Sequence, residues 1–218
     1  MKDLIILGAG GFAREASLLV EEINNSRQDK DKWNLLGFID EDHSKWGTEL
    51  RGYPVLGGRT VLADLPEEVL AICVVGEPAV KRKLVDLAGE QGRQFANLIH
   101  PQVEMTADIS IGKGILINKG CLLTVNLKIG DHVLVNPGCG IGHDAVIGAY
   151  TTLMWRVNIS GTVNVGKGCL IGTGAVILQG KSIGDGATVG AGAVVTDDLP
   201  TNCTAVGVPA RVITRGKA

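Results

Sequence analysis

Aromatic residues are scarce in this 218-residue chain: three Trp, two Tyr and three Phe make up 4% of it, although 45% is hydrophobic. Its core must therefore be filled by aliphatic side chains, which favours a regular, narrow interior. Neither sign of charge is in marked excess. Lys plus Arg number 21 against 23 Asp plus Glu, a net charge of -2, which leaves no basic stripe for nucleic acid. No apolar run is long enough to span a bilayer, and Lys2 and Asp3 lead into a short apolar stretch ending at Gly8, unlike a signal peptide. The expected location is the cytoplasm, with no membrane insertion. The five cysteines show no CxxC spacing, so neither a zinc ribbon nor a disulfide framework is indicated, and no metal is expected. Histidine occurs only four times. Glycine, by contrast, is abundant at 31 residues, and the length suits two domains.

The first stretch alternates strand and helix patterns. "LIILG" (4–8), "NLLGFID" (34–40) and "LAICVVG" (70–76) read as buried strands, while "GFAREASLLVEEIN" (11–24) and "PAVKRKLVDLAGEQG" (78–92) read as helices. "YPVLGG" (53–58) reads as a turn-bounded segment. This order implies βαβ crossovers around a small, parallel, Rossmann-like sheet of three or four strands over residues 1–98.

From Ile99 the pattern changes to a six-residue repeat. Every sixth residue from Ile99 through Met105 and Ile111 to Val195 is aliphatic, seventeen in succession, a run that chance would produce roughly once in a million trials. Glycine often follows the aliphatic residue, as at Gly112, Gly142 and Gly172, and a small residue often lies four places after it, as at Cys121, Cys139 and Ala175. Such glycines mark sharp bends or places where a Cβ would intrude. Six is neither the helical period nor the alternation of a long strand. A short strand plus a corner fits, and three such units close a triangular coil of eighteen residues. Coils stack at the strand spacing of ~4.8 Å, which places Cys121 beneath Cys139 as packing residues. The second domain, 99–218, is thus an all-β solenoid.

The motifs "ILGAGGFAREA", "GFIDED", "NLIHP", "GIGHDAVIG", "VNISGTVNVG" and "GAVVTDDLPTNCTAVGVPARVI" resemble those of hexapeptide-repeat sugar acyltransferases. The likeness is to relatives of sialic acid O-acetyltransferase and of the bacillosamine and perosamine N-acetyltransferases, and it extends over nearly the whole chain. It implies that the solenoid is a left-handed parallel β-helix and that acetyl-CoA is the co-substrate.

His143 stands two places after an inward aliphatic residue, beside Asp144. An imidazole next to a carboxylate is a base suited to take a proton from an amine or hydroxyl. The resemblance matches His143 to the family's catalytic histidine and Asp144 to its acidic neighbour. Gly161, eighteen residues on, stacks above His143 and matches the donor to the developing oxyanion. Asn136 matches an asparagine near the acceptor, with a buried asparagine ladder as the alternative. Thr152, Thr173 and Ala191 match contacts to the coenzyme, Trp155 completes their column, and Arg211 or Arg215 near the tail is a candidate for a phosphate. "LMWRV" (153–157) replaces the smaller residues of many relatives, so Trp155 and Arg156 add bulk near the expected coenzyme or acceptor channel and the acyl pocket and acceptor are not fixed by the resemblance. Trp155 is twelve residues beyond His143, two of three faces around the triangle, so one chain cannot bring base and coenzyme column together. A homotrimer can.

In the first domain, Gly8, Gly10 and Ala13 come near a dinucleotide fingerprint, with Asp40 placed to hold a ribose hydroxyl. The resemblance instead matches Gly10, Gly11, Phe12, Asp40, Glu41 and Gly76 to the nucleotide of a sugar nucleotide, and the small sheet favours a uridine-type ligand. The expected function is acetyl-CoA-dependent N-acetylation of a UDP- or GDP-linked 4-amino-4,6-dideoxyhexose. Sugar O-acetylation and a non-catalytic nucleotide-sugar-binding scaffold are the alternatives. A zinc carbonic anhydrase is disfavoured, because His100, His132 and His143 fall at unrelated phases of the coil.

Overall fold

A computed structural model describes residues 1–215, without the side chain of Arg215, whose expected phosphate contact lies outside the described residues. The chain forms two compact units, divided between Pro101 and Gln102. Among the described residues no helix is long and apolar enough to cross a membrane.

The first unit comprises β1 (Lys2–Leu7), α1 (Gly11–Asn25), β2 (Trp33–Ile39), β3 (Glu49–Leu50), β4 (Tyr53–Gly57), β5 (Leu70–Cys73) and α2 (Pro78–Glu90). The sheet order is β3-β4-β2-β1-β5, parallel except for the β3–β4 hairpin. Leu4, Ile5 and Ile6 are fully buried at its centre, as expected of a strand covered on both faces. α1 buries Ala13, Ala16, Leu19, Val20 and Ile23, a 3.6-residue stripe. α2 starts with Pro78 after Glu77, whose carboxylate accepts from the Val80 N–H at 2.7 Å, a capped entry in which proline needs no donor.

The sheet has five strands rather than three or four. Pro54 obscures the strand in the turn-bounded 53–58 segment, since proline cannot donate to a ladder. It lies opposite Glu49 in the two-residue hairpin with β3, while Val55 and Gly57 pair with Phe38 and Ile39 of β2.

The second unit is a coil of two-residue parallel strands from Ser110–Ile111 to Val194–Val195, each paired with the strand eighteen residues away. Three faces result, and the inward residues from Leu123 to Val195 are all buried, Ile141, Ile159 and Ile177 among them. So are the small residues four places later, including Cys139, Ala145 and Ala175. The repeat is broken at Met105 and runs without interruption from Ile111 onward. Met105 is 37% exposed and Val103 is buried in its stead, because residues 102–109 form no strand of the coil.

Each repeat turns its corner at the third residue after the inward aliphatic. Every sixth residue from Gly114 to Gly192 has a positive φ, including Asn126, His132, Asp144, Tyr150, Arg156 and Thr162. The glycines directly after the aliphatic residue serve a different need. A Cβ on Gly142 would lie 2.6 Å from the Gly161 nitrogen, so the backbone of the next coil, not a special dihedral angle, requires glycine there. At its end the chain adds Cys203–Val206 in parallel beside Thr188–Val189, and Arg211–Arg215 returns antiparallel.

Candidate active site

The corner between strands Gly140–Ile141 and Val146–Ile147 carries His143 and Asp144. Asp144 has φ 60°, a left-handed conformation that aspartate tolerates better than most residues. It brings Oδ2 to 2.8 Å from Nδ1 of His143. The side chains are half exposed, 51% and 46%. The His143 partner, and next the Asn126 amide that donates to Oδ1 at 2.6 Å, hold the Asp144 carboxyl below the usual carboxylate range. An ionised carboxylate can only accept, so His143 carries its proton on Nδ1 and leaves the Nε2 lone pair free.

Above the imidazole lies Gly161, where a Cβ would stand 2.4 Å from Nε2 and 2.5 Å from Cε1. Any other residue would displace the ring. Gly161 is itself buried. On either side of Gly161, Ser160 N donates to Ile177 O at 3.1 Å and Thr162 N donates to His143 O at 2.7 Å, whereas the Gly161 N–H takes no part in this ladder.

The other histidines are occupied differently. His132 is buried at 2%; it stacks on Tyr150 with centroids 5.1 Å apart, and a Cβ on Gly114 would meet its Nδ1. The ring is packed between Gly114 of the preceding coil and Tyr150 of the next. His100 is buried with Nε2 3.5 Å from Glu22, and His43 stacks on Trp46 at 3.9 Å. Among the described residues no three His, Cys, Asp or Glu side chains cluster as metal ligands. Cys121 and Cys139 are buried free thiols donating to the carbonyls of Asn136 and Met154, so neither offers an accessible nucleophile.

Trp155 (43% exposed), Thr173 and Ala191 form an exposed column at the next edge of the same chain. Above Trp155 that edge is bare: a Cβ on Gly174 or Gly192 would meet nothing within 4 Å. Thr152 stands apart. It is fully buried and offers no side-chain surface to a ligand within the chain. Asn136 is likewise buried, one coil above the buried Asn118, and its amide donates to Leu153 O at 3.0 Å.

In the first unit, a cavity of about 200 Å³ opens at the carboxyl ends of β1 and β2, lined by Gly8, Asp40, Glu41, Arg59, Val75 and Leu84 among others. This end of a parallel sheet is the usual ligand side. Gly10 is the N-cap of α1, with Gly11 and the half-buried Phe12 in its first turn. Space is open beside Gly10 and beside Gly76 past β5. Asp40 ties the glycine loop down: its Oδ2 accepts from Ala9 N at 2.7 Å and from Lys45 at 3.1 Å, and its Oδ1 from Asp42 N at 2.9 Å. Glu41 holds Arg59 through the backbone N–H at 2.7 Å and the guanidinium at 3.3 Å. Arg59 is thus a cation beside the cavity that the sequence reading missed. Its only signal was its position just past the glycine pair ending "YPVLGG".

Residues 3–87 match the PglD N-terminal domain, and residues 162–197 match the hexapeptide repeat of succinyl-transferase. No curated protein matches the chain. Among solved structures, WeeI from Acinetobacter baumannii AYE is 32% identical, with 98% of this chain and 100% of that one covered and a TM-score of 0.83. A histidine-to-asparagine variant of perosamine N-acetyltransferase from Caulobacter crescentus, in complex with CoA and GDP-perosamine, is 28% identical, covers 98% of both chains and has a TM-score of 0.86. The acetyltransferase domain of PglB from Neisseria gonorrhoeae FA1090, in complex with acetyl coenzyme A, is 26% identical over 97% of this chain and 99% of that one, with a TM-score of 0.83. A parallel hexapeptide coil with its histidine–aspartate corner, matched end to end by such enzymes, establishes that the chain belongs to the hexapeptide-repeat sugar acetyltransferases.

Proposed function

We propose that this protein transfers the acetyl group of acetyl-CoA directly to the amine of a nucleotide-linked amino sugar, a 4-amino-4,6-dideoxyhexose carried on UDP or GDP. The observation that carries the reading is the His143–Asp144 pair, with Nδ1 committed to the carboxylate and Nε2 left free at an exposed corner. An ammonium cannot attack a thioester until it loses a proton, and His143 takes that proton at Nε2. Asp144 fixes the tautomer, as the buried carboxylate of a serine-protease triad does. Acetyl-CoA supplies the activated acyl group and the leaving thiolate. The Gly161 N–H, unused by the ladder, is the donor available where negative charge develops.

Trp155, Thr173 and Ala191 would hold the pantetheine arm, for which the bare edge above Trp155 is a fitting track. That edge and the His143 corner are separated by one face of the coil. Since one coil rises ~4.8 Å over eighteen residues, Trp155 stands only about 3 Å above His143 along the axis. In a threefold ring heights are kept, so the dyad of one copy and the Trp155 edge of another meet at one level. We therefore read the active protein as a homotrimer. In the first unit, Gly10, Gly11, Phe12, Asp40, Glu41 and Gly76 would take the nucleotide, with Arg59 as an added cation. The proposed setting is glycan biosynthesis in the cytoplasm.

The reading is tested by thiol release from acetyl-CoA with a panel of UDP-, GDP- and dTDP-linked amino sugars, each beside its hydroxyl analogue. Release with at least one amine and not with its hydroxyl counterpart is expected. Faster release with the hydroxyl would indicate an O-acetyltransferase, and none with any sugar a binding scaffold.

A further inference from the structure

Asn126 lies eighteen residues before Asp144, hence directly beneath it on the same edge of the coil. Both residues turn the corner with left-handed backbones, φ 56° and 60°, so their side chains leave similar frames and stack. The Asn126 Nδ2 donates to Asp144 Oδ1 at 2.6 Å, while Asp144 Oδ2 meets His143 Nδ1 at 2.8 Å. The carboxylate is gripped at both oxygens, and turning it breaks a charge-assisted bond.

Asn126 is itself anchored from below. Its backbone N–H donates to Asp108 Oδ2 at 3.0 Å, and the Thr106 hydroxyl donates to Asp108 Oδ1. A line of hydrogen bonds therefore climbs one edge through Thr106, Asp108, Asn126 and Asp144 to His143. The chemistry at Asn126 is narrow. The group facing an ionised carboxylate must donate, and the residue must accept a left-handed backbone; asparagine does both. Asp144 is half exposed, so without this donor its carboxylate would rotate freely and the imidazole would exchange its proton between the two nitrogens.

We propose that Asn126 is a positioning residue for the reaction: acting through Asp144, it holds His143 in the tautomer whose Nε2 is free. The proposal rests on the reading of His143 as the base. It is tested with two variants of the full chain. Asn126→Asp keeps size and backbone tolerance but replaces the donor with a second carboxylate, and Asn126→Gly removes the side chain while keeping the corner. Two quantities are read. The first is kcat and KM for acetyl-CoA with whichever sugar nucleotide of the panel gives the fastest thiol release. The second, which needs no acceptor, is the ¹⁵N resonance pair of the His143 imidazole, identified by its loss in His143→Ala.

The expected result is a roughly tenfold fall in kcat, the scale on which a lost orienting partner acts elsewhere. KM for acetyl-CoA stays within about twofold on the same ground, and the ¹⁵N pair moves from a single Nδ1-protonated tautomer to a mixture. Wild-type kcat, or a reduced kcat with unchanged resonances, would overturn the proposal. If Asn126→Asp fails to fold, Asn126→Gly decides alone. His143→Ala in the same assay separates the two levels: full activity there sinks the base reading, whereas a lost rate there with unaffected Asn126 variants sinks only this inference.

Discussion

The imidazole of His143 occupies the place where a side chain on Gly161 would begin, with Nε2 2.4 Å from the ideal Cβ position. Gly161→Ala leaves the backbone N–H intact yet removes the seat of the ring. Because the ring is half exposed, it can swing outward at little cost to the fold. The expected outcome is a fall in kcat of ~10²-fold or more with a melting temperature within about 4 °C of wild type. Kinetics and thermal unfolding on one preparation check it, and a variant of near-normal kcat contradicts the seating argument.

Asp40 ties the glycine loop before α1 to the end of β2 through its bond from Ala9 N. Asp40→Ala releases that loop beside the cavity. Calorimetry with each ligand should show sugar-nucleotide binding weakened roughly tenfold or more, the scale of a lost charge-assisted bond, and coenzyme A binding unchanged. Equal losses for both ligands would contradict a separate nucleotide site.

Arg156 is the one side chain in a corner column otherwise made of Gly120, Gly138, Gly174 and Gly192, and its φ is 55°. A left-handed arginine costs about 1 kcal/mol relative to glycine. Arg156→Gly should therefore stabilise the protein by about that amount. If the side chain is kept for the coenzyme edge, KM for acetyl-CoA rises severalfold at the same time. Lower stability would show that the arginine makes a structural contact.

Lys81 and Cys73 give a pH signature. Burial pushes the Lys81 ammonium down from its ordinary 10.5 to about 7, and the Cys73 thiol up from 9 to about 11. Between pH 7 and 10.5 the unfolded chain holds a Lys81 proton that the folded chain has released, so stability rises with pH. Above pH 9 the thiol opposes it, because the folded chain keeps a proton that the unfolded chain loses. These two groups make stability climb from pH 7 to 9 and level off to 10.5. Lys81→Met should exceed wild type by on the order of 4 kcal/mol at pH 7, and the gap should narrow steadily and close only toward pH 10.5 in urea titrations. A gap independent of pH would mean that Lys81 is charged in the folded state.

Much of this site was legible because an uninterrupted hexapeptide register converts sequence separation into position. Eighteen residues is one rung, so Gly161 had to sit above His143, and the pairing of Gly140 with Asn158 bears that arithmetic out. Burial of outward positions was not legible. The period says which residue faces the core but not which outward positions the rest of the chain covers: Thr152 is covered without warning, whereas Asn136 follows the buried-ladder alternative above Asn118. His132 is covered in the same way, stacked on Tyr150 of the next coil. Asn126 lay at the right phase all along, but its role emerges only from the direction of an amide. The two-residue strand Glu49–Leu50 had no pattern of its own, and Pro54 masked its hairpin partner.

The claim that base and coenzyme edge belong to different copies is tested most directly by mixing two disabled chains. His143→Ala lacks the base, and Thr173→Trp blocks the bare edge above Trp155; each homotrimer should be nearly inactive. Co-assembled trimers should regain acetyl transfer, because some sites then pair an intact dyad from one chain with an open edge from the other. Mixed trimers, verified by mass, that stay as inactive as their parents would contradict the account.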